Sequence, residues 1–351
     1  MLCLGIESTA HTFAASVIEL SSIKNNDNKT KIPKNRRVKI LSDIRSIYKP
    51  PEGFGIHPRL ASRHHIEVCV DILKESLRKA GTSVKDIDLI AYSAGPGLGP
   101  CLRVGAVISR TLATFHKKPL VPVNHALGHI EIGAMLTGAR DPLVLLVSGG
   151  HTMILAFSQN RWRVFGETLD ITVGQLLDQF GRSIGFASPC GNKIEEVADQ
   201  ASGLYVRLPY VVKGNDVSFS GMLTAAKKLV HGINKNKESY RELCYSLQET
   251  AFAMITEVME RAMSVTCSKE VMVVGGVAAN KRLAQMLYIA SKRQGSQLFV
   301  CPVSFSGDNG VQIAWTGILQ YISTSKRIDI KDSFVCQSWR VDSVDVNWRT
   351  K

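Results

Sequence analysis

No run in these 351 residues reaches the roughly 18 uninterrupted apolar residues of a bilayer span, so no membrane anchor is expected. The stretch MLCLGIESTA lacks a basic n-region and Glu7 breaks its apolar run, so no secretory leader is expected either. The eight cysteines (Cys3, Cys69, Cys101, Cys190, Cys244, Cys267, Cys301, Cys336) form no C-x-x-C pair and no framework spacing. They read as small buried thiols of a reducing compartment, which makes the cytoplasm the expected location. There is no G-x-S-x-G elbow, and no cysteine has a histidine partner in sequence, so nothing marks a covalent nucleophile. Acid is also scarce: 30 Asp and Glu against 43 Lys and Arg leave a formal charge of +13. A basic surface draws in polyanions, and with the motifs below it points towards nucleic acid. The excess is densest at residues 24–39, where Lys24, Lys29, Lys31, Lys34, Arg36, Arg37 and Lys39 face only Asp27 in a polar, Asn-rich stretch. That composition predicts a mobile loop.

What remains is a globular composition, 45% hydrophobic and 21% charged, in a chain long enough for two cores. Leu2–Ile6, the polar turn ESTAHT and Phe13–Leu20 read as strand, tight loop, strand. The plan recurs at Leu143–Val147, SGGHT and Met153–Phe157, which suggests a duplicated domain. Helical periodicity follows at Ser62–Leu77, then a strand at Ile87–Ser93, a loop at GPGLGP (Gly95–Pro100), a helix at Leu102–Phe115 and a strand at Leu120–Val123. The second half predicts helices at Leu176–Ile184, Ile194–Ser202, Tyr240–Val265, Lys281–Gln294 and Gly310–Tyr321, with strands at Val271–Val274 and Leu298–Cys301. Alternating strands and helices imply α/β sheets with parallel crossings, whose ligands bind at the carboxyl ends of strands.

Three segments carry chemistry. In NHALGHIE (Asn124–Glu131), His125 and His129 lie four residues apart, so one helical face presents both rings, a spacing suited to Zn or Fe. The Glu that follows the first His in H-E-x-x-H peptidases is missing, and Glu131 points elsewhere on the helix. In SGDNG (Ser306–Gly310), Asp308 either completes a facial ligand set or merely caps the following helix. In LLVSGGHT (Leu145–Thr152), glycine lets backbone N–H groups approach an anion, as do GIESTAHT and GGVAAN (Gly275–Asn280), where Asn280 opens a helix. Three such joints favour nucleotide binding. Ser148 and Ser220 read as turn or loop hydroxyls, and His64 and His65 as surface histidines.

With these segments in hand, the chain resembles the tRNA threonylcarbamoyladenosine synthesis family over nearly its whole length. The likeness is to the archaeal and eukaryotic form, the catalytic subunit of the KEOPS complex. It rests on GIESTAHTF, AGPGLGPCLRVGA, VNHALGHIEIG, VSGGHT, DVSFSGMLTAAK, CYSLQETAFAM, GGVAANKRL, SGDNG and the closing QSWRVDSVDVNW. The resemblance implies two related domains of the actin, Hsp70 and sugar-kinase ATPase type around a cleft. The first would span 1–123, completed by 318–351, and the second 124–317. It implies transfer of threonylcarbamoyl from threonylcarbamoyl-AMP to the adenosine 3′ of the anticodon, in tRNAs reading codons that begin with A. It also implies one divalent metal per subunit, Fe²⁺ ahead of Zn²⁺, on His125, His129 and Asp308. ATP or threonylcarbamoyl-AMP would occupy the same cleft, on Leu146, Val147, Ser148, Gly149, Gly150, Asp178, Gly191, Glu195 and Asn280. Implied partners are tRNA, a small protein kinase or ATPase and accessory KEOPS subunits.

The chain departs from the family pattern in places. Leu146 stands where archaeal relatives carry a tyrosine able to reach the metal, and His151 stands where they carry Asn. Cys190 replaces the first glycine of a Gly-Gly pair, which predicts a reshaped ribose or base pocket. Two other readings of the same segments are a small-molecule kinase of this fold and a zinc peptidase. A kinase would hold Mg²⁺ on carboxylates and waters rather than on two histidines.

Overall fold

The computed structural model describes residues 1–21, 37–51, 53–230, 240–324 and 329–349. β1 (Leu2–Glu7) turns into the antiparallel β2 (Thr12–Ser21), and β3 (Arg37–Ile47) continues the meander. On the other side of β1, α1 (Pro58–Ala80) and α2 (Gly99–His116) carry the chain to β4 (Leu89–Gly95) and β5 (Leu120–Asn124), both parallel to it. After α3 (His125–Thr137) the scheme repeats: β6 (Leu143–Val147), β7 (Thr152–Ser158) and β8 (Arg161–Glu167) form a second antiparallel meander. There follow α4 (Val173–Ser183), α5 (Gly191–Ala198), a two-residue ribbon of β9 (Val212–Lys213) and β10 (Asp216–Val217), α6 (Ser220–Val230) and α7 (Arg241–Thr266). β11 (Glu270–Val274), α8 (Lys281–Arg293) and β12 (Gln297–Val300) complete the second sheet in parallel. The order β3-β2-β1-β4-β5 is matched position for position by β8-β7-β6-β11-β12, so the duplication read from two hairpins extends to whole sheets.

Side-chain alternation distributes the core over both faces of each sheet. Leu4, Ile6, Phe13 and Val17 pack under α1 and α2, whereas Cys3, Ile18, Leu89 and Val121 face Ile132 of α3 and Val311, Ile313 and Ile318 of α10 (Gly310–Thr324). In the second sheet Leu143, Leu145 and Val147 meet α4, α7 and α8, while Val144 and Leu146 meet Ala126, Leu127 and Ile130 of α3. Helix α3 thus touches both sheets, and it packs against α10. Both helices are apolar nearly all round, as helices enclosed in an interior must be.

Several expectations are corrected. Arg37 and Lys39 belong to β3 rather than to a loop; residues 24–36 lie outside the described residues. Neither β3 nor β8 was expected, because RVKILSDIRSI and RWRVFGE carry the charges that blunt edge strands and so obscure the alternation. Gly99 and Pro100 open α2 instead of closing a loop, since proline is tolerated in a helix's first turn. His65 is fully buried, and Cys267 and Cys336 are exposed. No helix among the described residues is long and apolar enough to cross a membrane.

Beyond α10, the chain runs from the first sheet to the second. Cys336 N–H donates to the Ala94 carbonyl, and Val346 N–H donates to the Asn160 carbonyl. Val341 and Val346 join Trp162 and Leu146 in the core. The Arg349 guanidinium lies 5.0 Å from the Trp162 ring and bonds both oxygens of the buried Glu131 carboxylate, at 2.8 and 3.1 Å.

Candidate metal centre and glycine turns

Asn124 ends β5 and caps α3, its Oδ1 accepting from Leu127 N–H at 3.1 Å. The helix therefore opens at His125, with His129 one turn further on. The third member arrives from the loop between α9 (Val303–Ser306) and α10. There the capping oxygen belongs to Asn309, which accepts from Gln312 N–H at 2.8 Å. Asp308 is left free of that duty and turns to the histidines. Its Oδ1 lies 3.5 Å from His125 Nε2 and 3.4 Å from His129 Nε2, and one ligand atom of each residue falls within 4.8 Å of the other two. Close backbone approach fixes this loop: a Cβ on Gly5 of β1 would overlap the Gly310 carbonyl.

Electrostatics perturb the same three groups. Burial works to lower His125, but the Glu7 and Asp308 carboxylates beside it more than reverse this and raise it to about 9. Burial lowers His129 despite Asp308. Asp308 is held well below the usual carboxylate range, the His125 charge and His129 outweighing its own burial. Both ring nitrogens of His129 are buried without a hydrogen-bond partner. Unpartnered buried polar atoms are costly, and an imidazole aimed at a carboxylate and a second imidazole suits a divalent cation. The donor set therefore fits a metal such as Zn²⁺ or Fe²⁺.

Three further residues surround this centre. Glu7, noted in the sequence only as the charge that interrupts an apolar run, accepts at Oε2 from His125 Nδ1 at 2.9 Å. His11 Nδ1 lies 4.0 Å from Asp308 Oδ2. The His151 ring stands 6.4 Å from that of His125, and burial together with the charges of His125 and His129 pushes it down to about 3. ESTAHT and SGGHT displayed these residues, but the long-range pairing of a turn with α3 leaves no local signal.

The glycine turns meet at the ends of β6 and β11. Ser148 closes the VSGG turn, its Oγ accepting from Gly150 and His151 N–H at 3.2 and 3.0 Å. Gly149 and Gly150 are exposed, with open space where a Cβ would stand on Gly149. Thr172, the cap of α4, donates to the Gly149 carbonyl at 3.0 Å, bringing a helix N-terminus against the turn. Gly275, at φ +95, lies where a Cβ would strike the Val147 carbonyl, so GGVAAN abuts VSGG.

Asp178, Glu195 and Asn280 interlock α4, α5, α7 and α8. Asp178 accepts from Cys190 N–H at 3.1 Å, Glu195 from Lys281 N–H at 2.7 Å, and Asn280 Nδ2 donates to Gln248 at 2.9 Å. Gly191 begins α5 with open space beside it. The side chains of Leu146 and Val147 are fully buried on opposite faces of β6, so only their backbone borders the turn. Cys190 likewise turns its thiol into the core against Gly181. Ser220 donates to Asp170 at the start of α6 and is a structural hydroxyl.

Residues 39–315 match the family model described as tRNA N6-adenosine threonylcarbamoyltransferase. The chain is 45% identical over 350 residues to the protein of that name from Caldivirga maquilingensis, covering 100% of this chain and 99% of the relative. It is 46% identical over 349 residues to that of Hyperthermus butylicus, covering 99% and 91%. Among solved structures, T. kodakarensis HypF superposes with a TM-score of 0.61 at 13% identity, over 95% of this chain and 49% of that one. The activator of the 2-hydroxyisocaproyl-CoA dehydratase from Clostridium difficile, with bound ADPNP, superposes at 0.53 and 10% identity, over 94% and 98%. These likenesses establish the fold, two sheets of the actin-like ATPase type.

Proposed function

Because the chain belongs to the tRNA N6-adenosine threonylcarbamoyltransferase family, we propose that it moves threonylcarbamoyl from threonylcarbamoyl-AMP to the N6 amine of the adenosine 3′ of the anticodon, in tRNAs reading codons that begin with A. One observation carries the reading at the level of the site: His125, His129 and Asp308 converge, with both His129 nitrogens unpartnered. We assign them one divalent metal, Fe²⁺ ahead of Zn²⁺, which when bound would polarise the carbonyl of the donor.

The other work falls to the chain itself. The donor is a mixed carbamic–phosphoric anhydride. The incoming amine forms the new N–C bond, the C–O bond to phosphate breaks, AMP leaves and the amine gives up a proton. AMP is a good leaving group, so no protein nucleophile is needed, consistent with a sequence that carries no G-x-S-x-G elbow. The exposed Gly149 and Gly150, at the N-terminus of α4, supply a surface for the phosphate. Asp178, Gly191, Glu195 and Asn280 frame the adenosine end. Holding both reactants in register lowers the barrier by several kcal/mol, up to about 7–11 in model systems. The halves taking part are residues 1–123 with 318–351, and 124–317. Apart from Asn124 at the end of β5, the strands of the first sheet fall in one and those of the second in the other. KEOPS subunits, among them a small kinase or ATPase, are the proposed partners.

Purified protein with accessory subunits, synthetic donor and unmodified tRNA tests the reading through nucleoside analysis. Threonylcarbamoyladenosine should appear and should vanish after metal is removed. Its absence from the complete mixture overturns the proposal.

A further inference from the structure

We infer that Glu7 is a positioning residue that fixes which nitrogen of His125 faces the metal, an inference that rests on the metal reading above. Four groups crowd His125 Nδ1 or its partner. Glu7 Oε2 is at 2.9 Å, Gln312 Nε2 at 3.3 Å and Thr9 Oγ1 at 3.4 Å, while Glu7 Oε1 accepts from Thr9 N–H at 2.6 Å. A carboxylate can only accept, so Glu7 requires the hydrogen on Nδ1. That leaves the Nε2 lone pair directed at the point shared with Asp308 and His129. Gln312 is the competitor, because its amide N–H₂ demands the opposite tautomer and would place a hydrogen where the metal belongs. Glu7 lies closer and is fully buried. His129 has no equivalent partner on Nδ1, so orientation of the imidazole pair falls on this one bond. Carboxylates behind metal-bound histidines act in this way, and their loss typically costs 10–100-fold in metal affinity.

The geometry also says which substitution is most damaging. In Glu7→Gln the side chain keeps its size, but the fixed Thr9 N–H claims the amide oxygen. The amide N–H₂ then faces His125 Nδ1 and, together with Gln312, enforces the wrong tautomer. A residue that merely filled space would tolerate this change. Zn²⁺ affinity of the stripped full-length protein, measured by competition with a chromophoric chelator, should fall about 10–100-fold in Glu7→Gln, with the melting temperature within a few degrees of wild type. The hydrogen-bonded Nδ1–H resonance of His125 should be present in the metal-free wild type and absent from the metal-free variant. His129→Ala serves as the control for the reading beneath. If His129→Ala loses Zn²⁺ but Glu7→Gln binds it within twofold of wild type, the positioning role is overturned and the metal reading stands. If His129→Ala binds Zn²⁺ like wild type, the metal reading itself fails.

Discussion

His65 packs against the ring of Phe13 with its Nε2 buried and unpartnered, next to His64. Burial and the His64 charge push it down to about 4, although a backbone bond at Ala10 works the other way. In the unfolded chain it would titrate near about 6.5, so between these values the unfolded state binds the extra proton. The stability that neutral His65 supports is complete above that range and is lost as pH falls through it, by on the order of 3 kcal/mol. Replacing it in His65→Asn should flatten the acid limb of melting temperature against pH; an unchanged limb would assign the effect elsewhere. At the glycine turn, Gly150→Val should fold normally, because nothing but Ser148 Oγ stands within 4.0 Å of the added carbon. It should weaken ATP binding about tenfold or more by occupying the phosphate's approach, and calorimetric titration showing wild-type affinity would remove the cradle. At this scale the sequence was legible for residues that carry a local pattern. The four-residue spacing of His125 and His129 announced itself, and Asp308 stood out between two glycines. Glu7 did not, because its meaning depends on a helix 118 residues away.

Helix α6 begins beneath a single carboxylate. Asp170 accepts from the hydroxyls of Ser218 and Ser220 and from the N–H groups of Phe219 and Ser220. Removing it in Asp170→Ala leaves the first turn of α6 uncapped and should cost about 1–2 kcal/mol in denaturant unfolding; a loss below a few tenths would deny the cap any weight. The segment DVSFSGM gives no hint of this partner, which lies 48 residues earlier in the chain. Elements with strong periods were read almost to the residue: β6 is Leu143–Val147 as expected, and α7 differs by one residue at each end. The edge strands β3 and β8 were missed because solvent on one side allows Lys and Arg to replace the apolar alternation; α6 was missed as well, and α5 lies at Gly191–Ala198 rather than Ile194–Ser202.

Across the molecule, the ion pair made by Arg349 joins residues 218 apart in sequence. It reaches Glu131 on the helix that carries both histidines, and both partners are largely buried. Arg349→Ala leaves a buried carboxylate without its partner, and breaking such a pair typically costs about 3–5 kcal/mol. Urea denaturation of Arg349→Ala and of the double variant Arg349→Met, Glu131→Gln distinguishes charge from packing: the double variant should recover most of the loss, and no recovery would point to packing. The basic excess belongs to this scale as well. If Lys34, Arg36 and Arg37 touch tRNA, replacing them with serine should flatten the salt dependence of binding by about one to three units of slope. Parallel lines would make them spectators.

The matched order of the two sheets carries a consequence for how the protein comes together. The donors at the centre come from α3, which touches both sheets, and from the loop before α10, with Glu7 behind them at the end of β1, stations spread over about three hundred residues. If the sheets form before they dock, circular dichroism would look native while the site is still unassembled. Uptake of Zn²⁺ during refolding would then act as a clock for the final docking of the two halves, lagging behind the recovery of secondary structure.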